Sequence, residues 1–293
     1  MKKIKTLGIL FVTTIITGAL LTACGTSKEK NNDSTNGTKS EEIADNKELE
    51  EIVVGASIEP HATILNSDAV KNSLKEQGFT IKVMEYTDYI QPNVATEDGS
   101  LDANFFQHTP YLNDYNKKNG TNLINVADIH FEPLGIYPGK TKSLDAVADG
   151  AQIAVPNDAT NEARALLLLE KAGLITLKKN IGLNATKNDI TENPKNLEIV
   201  EVEAAQTGKV LQDVDFAIIN GNYALSEGLS ASKDGLLVED ITSEAANTYP
   251  NIIVVKEENK DSEKTKALIK AVTSEETRAF IEEKWQGAVV PVF

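Results

Sequence analysis

Short apolar runs separated by amphipathic helical stretches recur along most of this chain, and that alternation restricts it to an α/β architecture. Residues 51–56 (Glu-Ile-Val-Val-Gly-Ala) read as a buried strand. Residues 62–77 follow as a helix with Leu65, Ala69, Val70 and Leu74 on one face, stopped by Gly78. Residues 80–85 alternate as a second strand, a helical stretch begins near Pro92, and Asp98-Gly99 makes a turn. Residues 101–104 are a third strand. A helix then starts at about Thr109, where Pro110 suits the first turn because it has no N–H to leave unpaired. Strands spaced by helices predict a parallel sheet.

The pattern changes around residues 132–138, and a second series begins with a strand at 152–156. A helix over 160–171 carries the buried block Leu166, Leu167, Leu168 and Leu169. Strands follow at 196–202, 215–220 and 251–255, with a last helix near 263–272. The prediction is a two-lobed α/β fold: residues 51–137 with 250–293 form one lobe, and residues 138–249 the other. The chain crosses between lobes near Tyr137 and Tyr249, and a double crossing of this kind makes a hinge. Ligands of open α/β sheets sit beyond the carboxyl ends of the strands, so the expected site is the cleft between lobes.

The N-terminus reads as an address. Lys2, Lys3 and Lys5 precede a mostly apolar run over residues 7–21, shorter than the ~20 residues a membrane span needs. Leu21-Thr22-Ala23-Cys24-Gly25 resembles a bacterial lipobox, with residues 1–23 as the signal and Cys24 as the acylated residue. Residues 24–50 are rich in Ser, Thr, Asn, Lys and Glu and too poor in large apolar side chains to offset the entropy of ordering, which reads as a flexible tether.

The formal charge of −15 opposes binding to nucleic acid, where phosphate repulsion would be costly. Cys24 is the sole cysteine, so no disulfide within the chain and no thiolate metal site can form. His61, His108 and His130 lack the spacing of metal-ligand pairs on a helix, and no metal or other cofactor is expected. Gly139-Lys140-Thr141 looks like the end of a phosphate-binding loop, but Leu134 stands where the motif needs glycine, and Pro138 breaks the loop.

The residues with chemistry fall at four strand ends: 86–89, 104–111, 157–164 and 220–223. The densest is Asn104-Phe105-Phe106-Gln107-His108-Thr109-Pro110-Tyr111-Leu112. Arg164 is informative because only two of the 29 basic residues are arginine, and it lies in the first turn of an apolar helix. Its planar fork matches a carboxylate, and the helix N-terminus favours an anion nearby. An ion pair with Glu162 or Asp158 is the competing account. Asn220 offers a donor and an acceptor at a strand end, or simply ends the strand. Tyr89, Phe105, Phe106 and Tyr111 would form an apolar slot. Together these fit a zwitterionic amino acid with an apolar side chain, and a thioether would gain from the rings.

At this point a family resemblance is apparent. Besides the lipobox, it is carried by Pro60-His61-Ala62, Tyr89-Ile90-Gln91-Pro92-Asn93, the run from Leu101 to Leu112, Ile153-Ala154-Val155-Pro156-Asn157-Asp158, Glu192-Asn193-Pro194-Lys195-Asn196-Leu197 and Ile219-Asn220-Gly221-Asn222-Tyr223-Ala224. These resemble the NlpA-type lipoproteins, the methionine-binding proteins of bacterial ABC importers. The resemblance implies a periplasmic-binding-protein fold and ligand contacts at Tyr89, Phe106, His108, Tyr111, Asn161, Arg164 and Asn220. Arg164 would take the α-carboxylate, Asn220 the backbone end, and His108 would border the pocket. Either Phe105 or Phe106 supplies the inward ring, since neighbours on an extended segment point oppositely. Implied partners are an amino acid such as L-methionine, a membrane permease with its ATPase, and the lipid anchor at Cys24.

Two other readings compete. A hydrolase would use His108 as base with Ser57 or Thr109 as nucleophile, but there is no Gly-x-Ser-x-Gly elbow and no acid placed to orient the histidine. A surface lipoprotein of the same fold could instead bind a short peptide or another amino acid, or act as an adhesin, though adhesion does not explain rings facing a scarce arginine.

Overall fold

The computed structural model describes residues 49–293; Cys24, the signal segment and all but the last two residues of the tether lie outside them. The strands in chain order are β1 (Glu50–Ser57), β2 (Phe79–Tyr86), β3 (Ala103–His108), β4 (Leu123–Phe131), β5 (Gly135–Pro138), β6 (Gln152–Pro156), β7 (Thr176–Leu177), β8 (Ile190–Glu192), β9 (Glu198–Val202), β10 (Phe216–Ile219), β11 (Leu237–Val238), β12 (Asn251–Lys256) and β13 (Val290–Pro291). They form a six-stranded sheet, β13-β4-β12-β3-β1-β2, a five-stranded sheet, β11-β5-β10-β6-β9, and the small ribbon β7-β8. Each large sheet has its own core. The first packs Ile52, Val54, Phe105 and Ile253 against Leu268, Ile281 and Trp285, and the second packs Ile136, Ile153 and Phe216 against Leu166 and Leu169. These are the two lobes.

The sheets are mixed, which corrects the expectation of a parallel one. β1 pairs β2 and β3 in parallel, but β12 pairs β3 and β4 antiparallel, and β13 pairs β4 antiparallel. In the second sheet β6 pairs β9 and β10 in parallel, while β5 pairs β10 and β11 antiparallel. Two of the antiparallel strands, β5 and β12, are each the first after a lobe crossing: a strand that re-enters a sheet from the other lobe is not bound by a local helical crossover. β5 lies in the second sheet, so the first passage falls between Phe131 and Gly135, ahead of the expected boundary at residue 137. The second falls between Val238 and Asn251, which contains Tyr249.

Two further local expectations change. The helix expected over 62–77 is broken, because Ser67 adopts an extended conformation and its hydroxyl accepts the Val70 N–H at 3.3 Å, capping a fresh helix at Asp68–Glu76. The strand expected to end at Asn104 runs on to His108, held there by β12, a partner from the far end of the chain. The helices Thr109–Asn119 and Glu263–Val272 form where the pattern placed them.

The β3–β12 ladder pairs Ile252 with Gln107 and Ile253 with Phe105, so Phe106 is the extra residue of a bulge. Alternation along β3 sends the two rings, which sequence alone could not assign, to opposite faces. Phe105 enters the first core, edge-on to His61 at 4.6 Å and to His130 at 5.2 Å between centroids. Phe106 turns toward the gap between lobes.

Candidate binding cleft

Tyr89, Phe106, His108, Tyr111, Asn161, Arg164 and Asn220 all line one narrow cleft, together with Gln107, Glu132, Gly221, Asn222 and Asn251. The first four come from the β2 and β3 ends of one sheet, and Asn161, Arg164 and Asn220 from the β6 and β10 ends of the other. The strand ends therefore converge, as the topology requires.

The ring wall is set by local chemistry. Tyr89 packs against Phe106, Tyr111 and Tyr223 with centroids 5.8, 5.7 and 4.9 Å away, and the Tyr111 hydroxyl donates to the Tyr89 carbonyl at 3.0 Å. Beneath it, buried amides tie the helix Gln91–Glu97 to β3: Gln107 donates to the Asn93 and Asn104 side-chain oxygens at 2.6 and 2.8 Å, and Asn104 donates to the Thr96 hydroxyl at 2.7 Å. This network is why so many amides sit in the 104–107 stretch. They hold the wall in place, and a satisfied buried network is rigid.

The lobes are drawn together across the cleft. The Tyr89 hydroxyl donates to Asn222 Oδ1 at 2.5 Å and the Tyr223 hydroxyl to the Thr87 carbonyl at 3.2 Å. His108 joins the lobes as well. Its Nδ1 accepts the Tyr111 N–H at 3.2 Å, so its Nε2 carries the proton and donates to Asn161 Oδ1 at 3.3 Å. Burial, and then the Arg164 charge, hold this imidazole at about pKa 3. A ring with both nitrogens committed has no lone pair for a nucleophile, which removes the basis for a His108-driven hydrolase.

On the opposite wall, Asp158 caps the helix Ala159–Lys171 by accepting the Asn161 N–H at 3.0 Å. Asn161 and Arg164 lie one turn apart on the same face. The Asn161 amide donates to Asp158, and its oxygen also accepts from Asn220 Nδ2 at 2.8 Å. Asn220 Oδ1 is buried with no partner among the described residues.

Arg164 pairs with neither Glu162 nor Asp158. Its Nε donates to Glu239 Oε1 at 2.7 Å, its Nη2 to Glu239 Oε2, and Nη2 also to the Glu132 carbonyl at 3.0 Å. The guanidinium lies 4.3 Å over the Tyr249 ring. Burial disfavours its charge, but Glu239 more than compensates and the pKa is raised. The expectation that the arginine fork receives a ligand carboxylate is therefore revised. Glu239 occupies the Nε/Nη2 side, and Nη1, which makes no hydrogen bond to the described residues, is what remains for a ligand.

Glu132, Glu239 and Asn251 were not singled out from the sequence. Glu132 carried one signal, an acid closing the apolar run Ile129-His130-Phe131; Glu239 followed Leu236-Leu237-Val238 in the same way. Glu132 brings together histidines that sequence spacing had separated: His130 Nε2 is 2.7 Å and His61 Nε2 3.5 Å from its Oε1, and His61 Nε2 also meets Asn251 Oδ1 at 2.9 Å. The trio has metal-ligand donor types and lies close enough for one ion. However, a ligating histidine donates its other N–H to a supporting group, and His130 Nδ1 has no partner among the described residues. The geometry is instead that of two neutral imidazoles donating Nε2–H to acceptors, with burial holding His61 at about pKa 4 and His130 at about 3.

A closed cleft between two α/β lobes, ringed by aromatics on one side and carrying a part-committed arginine on the other, defines a two-lobed solute-binding protein. The chain belongs to the NlpA lipoprotein family, whose model matches residues 52–293. It is 45% identical over 76% of its length, and 79% of the relative's, to the probable D-methionine-binding lipoprotein MetQ of Pasteurella multocida. It is 40% identical over 95% of its length, and 96% of the relative's, to the methionine-binding lipoprotein MetQ of Bacillus subtilis. A nutrient-binding protein from Burkholderia cenocepacia bound to methionine superposes with a TM-score of 0.78 at 43% identity, covering 83% of this chain and all of the other. Among the described residues, no helix is long and apolar enough to cross a membrane.

Proposed function

We propose that this protein captures an amino acid, methionine before others, in the interlobe cleft and delivers it to an ABC permease and its ATPase. The single observation that carries the reading is the convergence of Tyr89, Phe106 and Tyr111 from one lobe on Arg164 and Asn220 from the other. The rings give an unbranched thioether a polarizable apolar slot, worth roughly 0.3–1.5 kcal/mol per sulfur–aromatic contact. Arg164 Nη1 donates to the α-carboxylate, and Asn161, Asn220 and Asn251 surround the backbone end. Closure buries the ligand, and the closed form is what a permease recognises. Acylated Cys24 holds the protein at the extracytoplasmic face of the cell membrane, and the protein itself performs no catalysis.

The test is mass spectrometry of whatever small molecule accompanies the purified protein, followed by a thermal-shift panel of amino acids and short peptides. Methionine is expected to co-purify and to give the largest shift among amino acids. A larger shift from a dipeptide, or none from any amino acid, would overturn the assignment.

A further inference from the structure

Charges around the cleft do not balance. Among the described residues lining or backing it, Arg164 is already paired bidentately with Glu239. Glu132 is 5% exposed and lines the same cleft. Among the described residues its only ionisable partners within contact are His61 and His130, both buried and neutral near pH 7. Its carboxylate thus has hydrogen-bond donors, and the one nearby cation that acts on it, Arg164, is already paired with Glu239.

The carboxylate is fixed against the cleft floor. A Cβ added at Gly221, which also lines the cleft, would lie 2.6 Å from Glu132 Cβ and 2.7 Å from Oε2, so only glycine lets the acid approach this wall. Asn220, next in the chain and itself 6% exposed, offers in Oδ1 a second acceptor with no donor among the described residues. Arg164 Nη2 holds the Glu132 carbonyl at 3.0 Å, which keeps the cleft's cation and its unbalanced anion on one short stretch of wall. A buried anion beside an unpaired acceptor, next to a guanidinium with one free nitrogen, is complementary to the two ends of an α-amino acid.

We propose that Glu132 receives the ligand's ammonium group, with Asn220 Oδ1 as its second acceptor, so that the cleft selects ligands bearing a free α-ammonium over the same ligands with that group removed or acylated. This rests on the reading of the cleft as an amino-acid site. His61 and His130 are positioning residues: their Nε2–H groups hold Glu132 Oε1 and Asn251 Oδ1 without supplying a competing charge. An ammonium entering the cleft would give Glu132 its missing counter-ion, and a ligand without one would leave a buried carboxylate and an amide oxygen unpaired.

The experiment is calorimetry on the full chain with four probes: L-methionine, its des-amino analogue 4-(methylsulfanyl)butanoate, N-acetyl-L-methionine, and 3-(methylsulfanyl)propylamine, which keeps the amine and lacks the carboxylate. The wild type is expected to bind methionine about a hundredfold or more tightly than the des-amino and N-acetyl compounds. Glu132→Gln is expected to weaken methionine by about tenfold or more while leaving the des-amino compound unchanged or tighter. If methionine binds and Glu132→Gln keeps the wild-type ratio between these two, the Glu132 assignment falls and the amino-acid reading stands. If the wild type binds none of the four probes, the amino-acid reading falls and this assignment with it. Should Glu132→Gln not fold, the wild type still decides, because methionine must bind far more tightly than the des-amino and N-acetyl compounds. Equal binding of the three overturns the proposal.

Discussion

Arg164 and Glu239 lie 75 positions apart and meet as a bidentate ion pair, both side chains under one-tenth exposed, at the back of the interlobe cleft. Glu239 also accepts the Leu134 N–H at 2.9 Å, so one carboxylate ties the arginine to the strand that follows the first lobe crossing. The pair holds the Nε/Nη2 edge of the guanidinium, and Tyr249, near the second crossing, covers its flat face.

Removing Glu239 leaves a buried guanidinium and the Leu134 N–H uncompensated. Glu239→Ala is expected to lower stability by about 3–5 kcal/mol, the range for breaking a buried pair from one side. Urea denaturation checks this; a loss within about 0.5 kcal/mol, as at an ordinary surface position, would mean the pair is not formed in solution.

With the Nε/Nη2 side held by Glu239, shape matters as much as charge at position 164. Arg164→Ala is expected to weaken methionine by more than about tenfold, and Arg164→Lys by nearly as much, because a lysine ammonium cannot hold Glu239 and present a second nitrogen in one plane. Calorimetry on both variants is the check. Unchanged affinity in Arg164→Ala would remove this side chain from the site.

The adjacent rings of β3 should separate in experiment. Phe105 is wholly buried in the first core, so Phe105→Ala is expected to cost about 3–5 kcal/mol of stability. Phe106 lines the cleft, so Phe106→Ala is expected to lose methionine affinity with a smaller stability cost. Denaturation and titration of both variants together decide it, and an equal loss of stability in the two would contradict their division between core and cleft.

Acid should destabilise the fold through its histidines. Burial holds His61 at about pKa 4 and His108 and His130 at about 3, below the unfolded value near 6.5. Between those limits the unfolded chain binds more protons, so their stabilisation is complete above about pH 6.5 and declines as pH falls toward 3–4. Glu132, raised by burial, works the other way and offsets part of the decline. Denaturation at pH 7.5 and pH 5 is expected to show lower stability at pH 5. His108→Asn, which can still cap the helix Thr109–Asn119, should reduce that slope, and an unaltered slope would argue against a buried neutral His108.

Much was legible in the residues themselves because it depends on near neighbours. The helix Glu263–Val272, the start of the helix at Thr109 and the strand–helix alternation follow from periodicity and capping, which act over a few positions. The scarcity of arginine drew attention to Arg164, strand-end placement to Tyr89, the pair Phe105 and Phe106, Tyr111 and Asn220, and the family resemblance to His108 and Asn161; the fold collects all of these except Phe105 around one cleft. Tertiary structure alone decided what depends on distant segments. β12 extends β3 to His108, and the first core takes Phe105 and leaves Phe106 to the cleft. Glu239 takes the arginine edge that local spacing had left to Glu162 or Asp158, and Glu132 gathers His61 and His130 across 71 and two positions of chain. Hydrogen bonds and charges act over a few ångströms of space whatever the separation in sequence, so their partners are fixed only once the sheets have brought the chain back on itself.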